Sequence, residues 1–135
     1  MIENKTSFRV RYAETDQMGI VNNANYPTYY EIGRTELFRA LGLSYKIIES
    51  AGIILPLSDL FVKYHRPALY DDLLTIKTCI KEWPASRIRF DYYIYNEAEQ
   101  LVNEGYTTLA YLDAKTRRPM RIPPMVVELL QPYFQ

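Results

Sequence analysis

The chain has 135 residues, the length of one globular domain, so a single core is expected and a second full domain has no room. Sixteen Lys and Arg balance sixteen Asp and Glu, which removes the basic signature of a nucleic-acid or anionic-membrane binder. One cysteine cannot close an intrachain disulfide, Met1 to Thr6 lacks the apolar stretch of a secretory signal, and the densest apolar window, Ala51 to Leu57, is far short of the roughly 20 residues that span a bilayer. A cytoplasmic protein with no membrane partner is expected. Thirteen tyrosines stand against five phenylalanines and one tryptophan. Tyrosine suits half-buried strands, pocket walls and subunit contacts, so self-association is plausible from composition alone.

In chain order, Ser7 to Tyr12 alternates, with Phe8, Val10 and Tyr12 on one side and Ser7, Arg9 and Arg11 on the other, which predicts a short strand. A polar segment, Ala13 to Asn25, follows. From Pro27 to Leu41, Tyr30, Gly33, Leu37 and Leu41 recur every three or four residues, and Gly42 supplies a stop, which predicts a helix of about four turns. Gly33 in its middle costs about 1 kcal/mol against Ala, so close approach of another backbone is expected there. Ser44 to Ala51 reads as a short helix.

The rest is rich in β-branched and aromatic residues, predicting strands over Ile54 to Tyr64, Asp72 to Trp83, Ser86 to Asn96 and Gln100 to Leu112, with a terminal helical segment over Met125 to Phe134. The connections at Pro84-Ala85 and Asn96 to Glu99 are short, so those neighbours pair antiparallel. The expected class is α+β: one long helix on one face of a five-stranded antiparallel sheet. The open face and edges call for a dimer that continues the sheet.

The chemistry concentrates between the first strand and the long helix, Glu14-Thr15-Asp16-Gln17-Met18-Gly19-Ile20-Val21-Asn22-Asn23-Ala24-Asn25-Tyr26. A carboxylate, a glycine and three Asn precede a helix start, where unpaired N–H groups and the helix dipole favour an oxyanion. The same residue types also serve as turn and cap residues, and the spacing alone leaves both readings open.

Asp16-x-x-Gly19-Ile20-Val21-x-x-x-Asn25-Tyr26 resembles the signature of hot-dog-fold acyl-CoA thioesterases of the 4-hydroxybenzoyl-CoA thioesterase and YbgC-like type. The resemblance extends through Glu31 and Arg34-Thr35-Glu36 to Leu41-Gly42, and through Tyr70-Asp71-Asp72, Leu74-Thr75-Ile76 and Cys79 to Trp83. It implies a long helix wrapped by an antiparallel sheet and the hydrolysis of an acyl-CoA thioester to acid and coenzyme A, with no metal or other cofactor. It also implies Asp16 as the catalytic carboxylate, the Asn23 backbone N–H as the donor to the thioester carbonyl, and Gly19 as the glycine that lets the loop approach the acyl group.

The sequence departs from the family twice. Asn22-Asn23 stands where many members carry Tyr-His, although a backbone donor does not depend on side-chain identity. Pro27, which lacks an N–H, either opens the regular helix or distorts the turn before it. A thiolate leaves without protonation, so one carboxylate and one oxyanion site suffice, with Asp16 acting as general base or as nucleophile.

Glu31 is the alternative catalytic carboxylate, set against an i,i+3 pairing with Arg34. His65 and Cys79 read as structural. Tyr26 and Tyr30, together with Tyr29 and Tyr64, are candidate walls of an acyl pocket. Arg87 and Arg89 are the candidate contacts for the nucleotide phosphates, with Lys115, Arg117, Arg118 and Arg121 next. The resemblance favours a homodimer or homotetramer, and leaves a hot-dog dehydratase, a non-catalytic acyl-binding protein, and acyl carrier protein as the acyl donor open.

Overall fold

A computed structural model describes residues 1–134. The first strand, β1, runs from Ile2 to Arg9, and α1 covers Tyr26–Ala40. They are followed by α2 (Tyr45–Ser50), β2 (Ile53–Ile54), β3 (Leu57–Tyr64), β4 (Leu73–Ile80), β5 (Arg87–Tyr95), β6 (Leu101–Ala110), β7 (Leu112–Asp113) and α3 (Pro124–Leu130). The five long strands form one antiparallel sheet in the order β1-β4-β5-β6-β3, and β2 pairs with β7 in a small second sheet. This is the expected α+β arrangement, with α1 laid across one face.

Three boundaries differ from expectation for identifiable reasons. β1 begins five residues before the predicted Ser7, because the polar run Glu3 to Ser7 finds a complete ladder on β4, from Ile2 opposite Ile80 to Arg9 opposite Leu73. Its end also comes earlier, since Tyr12–Glu14 folds into a 3-10 turn. The predicted strand Ile54 to Tyr64 is interrupted at Leu55-Pro56: proline has no N–H for a ladder, and only its carbonyl is used, accepting from Ala110 N–H at 3.0 Å. The predicted strand Asp72 to Trp83 stops at Ile80, ahead of a bend and the Trp83-Pro84 turn.

Alternation along β5 separates the two faces of the sheet. Ile88, Phe90, Tyr92 and Ile94 are fully buried under α1, whereas Arg87, Arg89 and Tyr93 point to the other side. At Gly33 the helix packs tightly on the sheet, but against side chains rather than the expected backbone: a Cβ there would collide with Thr78 Oγ1 and touch Ile76 Cδ1. Tyr30 stacks flat on Tyr92 with ring centroids 4.3 Å apart, and Phe38 meets Phe90 edge-on. β3 is an edge strand, and Leu57, Leu60, Phe61 and Tyr64 along it are each more than 40% exposed. No described helix is long and apolar enough to cross a membrane.

Candidate active site

The segment between β1 and α1 is built in two halves. In the first, Glu14 is buried and holds the chain in a hook: its carboxylate accepts from the Arg11 amide at 2.8 Å, from Arg11 Nε at 3.1 Å and Nη2 at 2.9 Å, and from the Tyr29 hydroxyl at 3.0 Å. Burial works to raise the Glu14 pKa, but these hydrogen bonds and the Arg11 charge outweigh it and hold the group below its ordinary value. The Glu14 carbonyl accepts from the Asn22 N–H at 2.9 Å and from Asn25 Nδ2 at 2.8 Å, which fastens the second half of the loop to the first.

The second half begins at Asp16. Thr15 bridges Val21, and the Asp16 N–H donates to the Ile20 carbonyl, so residues 16–20 form a tight hairpin tip. Gly19 N–H donates to the Asp16 carbonyl at 3.0 Å, and Gly19 takes φ +77°, the left-handed region that glycine enters without strain. Gly19 therefore sets the turn. Asp16 Oδ1 accepts from the Met18 N–H at 2.8 Å, and Oδ2 accepts from no described residue.

Ahead of α1, Asn23–Asn25 forms a 3-10 turn capped by Asn22, whose Oδ1 accepts from the Ala24 N–H at 2.9 Å and whose carbonyl accepts from the Asn25 N–H at 2.9 Å. The N–H of Asn23 has no acceptor among the described residues. Pro27 falls in the first turn of α1, where its missing N–H costs nothing, and the turn before it is the distorted one.

Asp16 and Asn23 line one cleft of about 470 Å³, walled by Ile20, Tyr26 and Tyr64 and bounded by His65 and Arg66. Tyr64, at the end of β3, donates its hydroxyl to the Asn23 carbonyl at 3.1 Å, and its ring meets Tyr26 edge-on at 5.4 Å. Burial and the neighbouring Tyr64 push the Tyr26 hydroxyl up to about 12, so it stays neutral at physiological pH. His65 bounds the cleft and pairs through Nε2 with Glu104 at 2.8 Å.

Several expected site residues lie elsewhere. Tyr30 is not a pocket wall: it is fully buried in the core, with its hydroxyl bonded to Asn103, because the stacking on Tyr92 draws it under the sheet. Tyr29 is likewise fully buried and serves Glu14. Glu31 is exposed, forms no ion pair with Arg34 among the described residues, and is not part of the cleft wall.

Arg87 and Arg89 stand on the sheet face opposite α1. Arg87 pairs with Asp59 at 3.8 Å; Arg89 pairs with Asp91 at 3.0 Å and lies 3.9 Å over the Tyr106 ring. Cys79 is buried, and burial raises its pKa. No group of three or more His, Cys, Asp or Glu among the described residues is arranged to hold a metal ion. The contacts that sequence reasoning missed are the Glu14 hook, for which the i,i+3 spacing of Arg11 and Glu14 was the available signal, and the Tyr64 bond, which joins residues 41 positions apart and leaves no local trace.

A strand, a carboxylate hairpin and an unpaired amide at the mouth of a sheet-wrapped helix define a thioesterase-type hot-dog domain. The profile of the thioesterase-like superfamily matches residues 10–130, and the chain belongs to that family. It is 35% identical over 118 residues to the putative acyl-CoA thioesterase YneP of Bacillus subtilis, covering 87% of this chain and 86% of that protein. It is 30% identical over 119 residues to the acyl-CoA thioester hydrolase YbgC of Escherichia coli, covering 88% and 89%. Among solved structures it superposes on a DHNA-CoA thioesterase from Staphylococcus aureus with a TM-score of 0.92 at 34% identity, covering 98% of this chain and 91% of that one.

Proposed function

We propose that this chain is an acyl-CoA thioesterase in which Asp16 and the Asn23 N–H carry the reaction. The observation that supports the reading is the pair of open groups in one cleft: among the described residues, a carboxylate with one oxygen that accepts no bond and an amide with no acceptor. The amide polarises the thioester carbonyl and stabilises the oxyanion, in a turn fixed before substrate arrives. Asp16 either takes a proton from water as it attacks the carbonyl carbon, or attacks directly to give an anhydride that water then opens. In both routes the C–S bond breaks and the thiolate of coenzyme A leaves.

A dehydratase is disfavoured because the loop carries no imidazole, and the one histidine is engaged by Glu104 at the cleft boundary. The acyl group enters along Ile20, Tyr26 and Tyr64. The exposed apolar edge β3 supports a homodimer, with a homotetramer through the open sheet face as the further step, and we place the protein in the cytoplasm with coenzyme A as the acyl carrier. Thiol release from a panel of acyl-CoA esters tests the activity. Turnover is expected with no added metal; absence of thiol release across short, long and aromatic acyl groups overturns the reading.

A further inference from the structure

A second concentration of polar groups lies two turns further along α1, away from the Asp16 cleft. Arg34 on α1, Tyr45 at the start of α2, Tyr92 on β5 and Tyr111 after β6 converge under α2. Three of their polar atoms, Arg34 Nε, Tyr45 Oη and Tyr111 Oη, are buried without a hydrogen-bond partner. Tyr92 alone is satisfied, by Thr107 at 2.5 Å. The hydroxyls of Tyr92 and Tyr45 stand close enough to the guanidinium to offset its burial and raise its pKa, yet neither closes a bond on Nε. Tyr111 is only 1% exposed.

A buried donor without a partner is costly, and two of these three, on Arg34 and Tyr45, face one cavity, which marks a site that accepts a polar guest. Arg34 and Tyr45 line a cavity of about 80 Å³ whose other walls include Ile48, Ile53 and Leu109, with the exposed Glu49 at its rim. That is several times the roughly 10–15 Å³ one water needs. The donors set the chemistry of the guest. Arg34 and Tyr45 present a guanidinium and a phenol hydroxyl to this space; Glu31 acts on the arginine through its charge, but no carboxylate of a described residue forms an ion pair with it, so these donors match two acceptor oxygens carrying negative charge. The apolar walls match the methylene that precedes such a group.

We propose that this cavity is a carboxylate-binding subsite for the far end of the acyl group, so that the enzyme accepts acyl thioesters whose chain ends in a second carboxylate. The proposal rests on the thioesterase reading above and names its substrate class. From Tyr26 in the cleft to Arg34 the helix rises about 12 Å. Beside it the α1-facing positions of β3, namely Tyr64, Val62 and Leu60, are exposed or half-exposed, which leaves an apolar track from the reacting centre toward the cavity. An extended chain advances about 1.2 Å per bond, so an eight-carbon acyl group and the reach of the Arg34 side chain together cover the distance.

The test compares suberyl-CoA with octanoyl-CoA, equal in length and different only in the terminal carboxylate, on the wild-type protein and on Arg34→Met and Tyr45→Phe. In parallel, acetate is titrated against the melting temperature at constant ionic strength. The wild type is expected to favour suberyl-CoA by about tenfold or more in kcat/KM, with Arg34→Met removing that preference and Tyr45→Phe reducing it.

The wild-type ratio decides the matter even where Arg34→Met fails to fold. Equal substrates overturn the assignment of the cavity to the acyl terminus, and an acetate-dependent rise in Tm that Arg34→Met lacks would then give the cavity to a free acid. Equal substrates with no acetate effect overturn the proposal and make the guest water alone. So does a loss of stability in Glu49→Gln equal to that in Arg34→Met, because the cavity then belongs to Glu49. Hydrolysis of neither ester, nor of any other acyl-CoA, removes the thioesterase reading, and the acetate titration then decides the subsite by itself.

Discussion

The two halves of the segment between β1 and α1 use the same residue chemistry to opposite ends. From Arg11 to Thr15 polar groups are turned inward: the Glu14 carboxylate takes four donors, and the Thr15 N–H and hydroxyl both donate to the Tyr12 carbonyl. From Asp16 to Asn25 the bonding stops short, leaving one carboxylate oxygen and one amide open on the cleft. Two carboxylates two positions apart therefore separate into a saturated one and an open one, and the proposed chemistry falls to the open one. The saturated half supplies the rigidity that lets the open half wait in place for substrate.

The strongest way to break this comparison is a pair of isosteric changes. Asp16→Asn is expected to lower kcat by 10²- to 10⁴-fold with little change in the urea midpoint, because it removes the base or nucleophile but keeps an acceptor for Met18. Glu14→Gln is expected to do the reverse in order of size, costing about 1–3 kcal/mol of stability by exchanging a charged acceptor for an amide against Arg11 and the buried Tyr29 hydroxyl. Equal losses of activity and stability in both variants would erase the distinction.

The same hook predicts a pH dependence. Glu14 has a folded pKa below its ordinary value of 4.5, so its contribution is fully present above that value and is lost as pH falls through the folded pKa. Wild-type unfolding free energy should therefore drop more steeply than that of Glu14→Gln when urea melts are repeated from pH 5 downward. Parallel curves would mean that the carboxylate charge does not hold the hook.

Local periodicity made the long helix and the sheet strands legible in sequence, and Gly33 announced its contact because a mid-helix glycine has few other reasons to be there. The loop signature made Asp16 and Asn23 candidates through resemblance, since Asp, Asn and Gly before a helix are ordinary cap residues by spacing alone. What stayed hidden depends on which strand lies beside which. β3 follows α2 in the chain but sits at the far edge beside β6, and that placement alone delivers Tyr64 to Asn23 and exposes the edge. The placing of Tyr30 failed for a related reason: periodicity puts it on the buried stripe of α1 but does not distinguish core from pocket wall.

Gly33→Ala gives a smaller effect that sharpens the packing side of the picture. Alanine gains about 1 kcal/mol in helix propensity, and the overpacking against Thr78 costs about 1–3 kcal/mol, so a net loss of about 1 kcal/mol is expected. Thr78→Ala in the same chain should recover that loss, since the colliding atom is the Thr78 hydroxyl; a double-mutant cycle without coupling would place the strain elsewhere.

The smallest expected effect concerns the link between the edge strand and the open half of the loop. The Tyr64 hydroxyl holds the Asn23 carbonyl, one peptide away from the amide assigned to the oxyanion, and Tyr64 is 52% exposed, so water replaces the lost donor in Tyr64→Phe and stability should change by less than about 0.5 kcal/mol. The amide plane, however, loses its external tether. An amide that must settle as the oxyanion forms weakens the transition state more than the bound substrate, so kcat should fall by about 2- to 10-fold with KM nearly constant, the worth of one neutral hydrogen bond. A rise in KM at unchanged kcat would instead leave Tyr64 as a wall for the acyl group alone, with no part in holding the Asn23 turn, and β3 would then bear on what the cleft binds rather than on how it reacts.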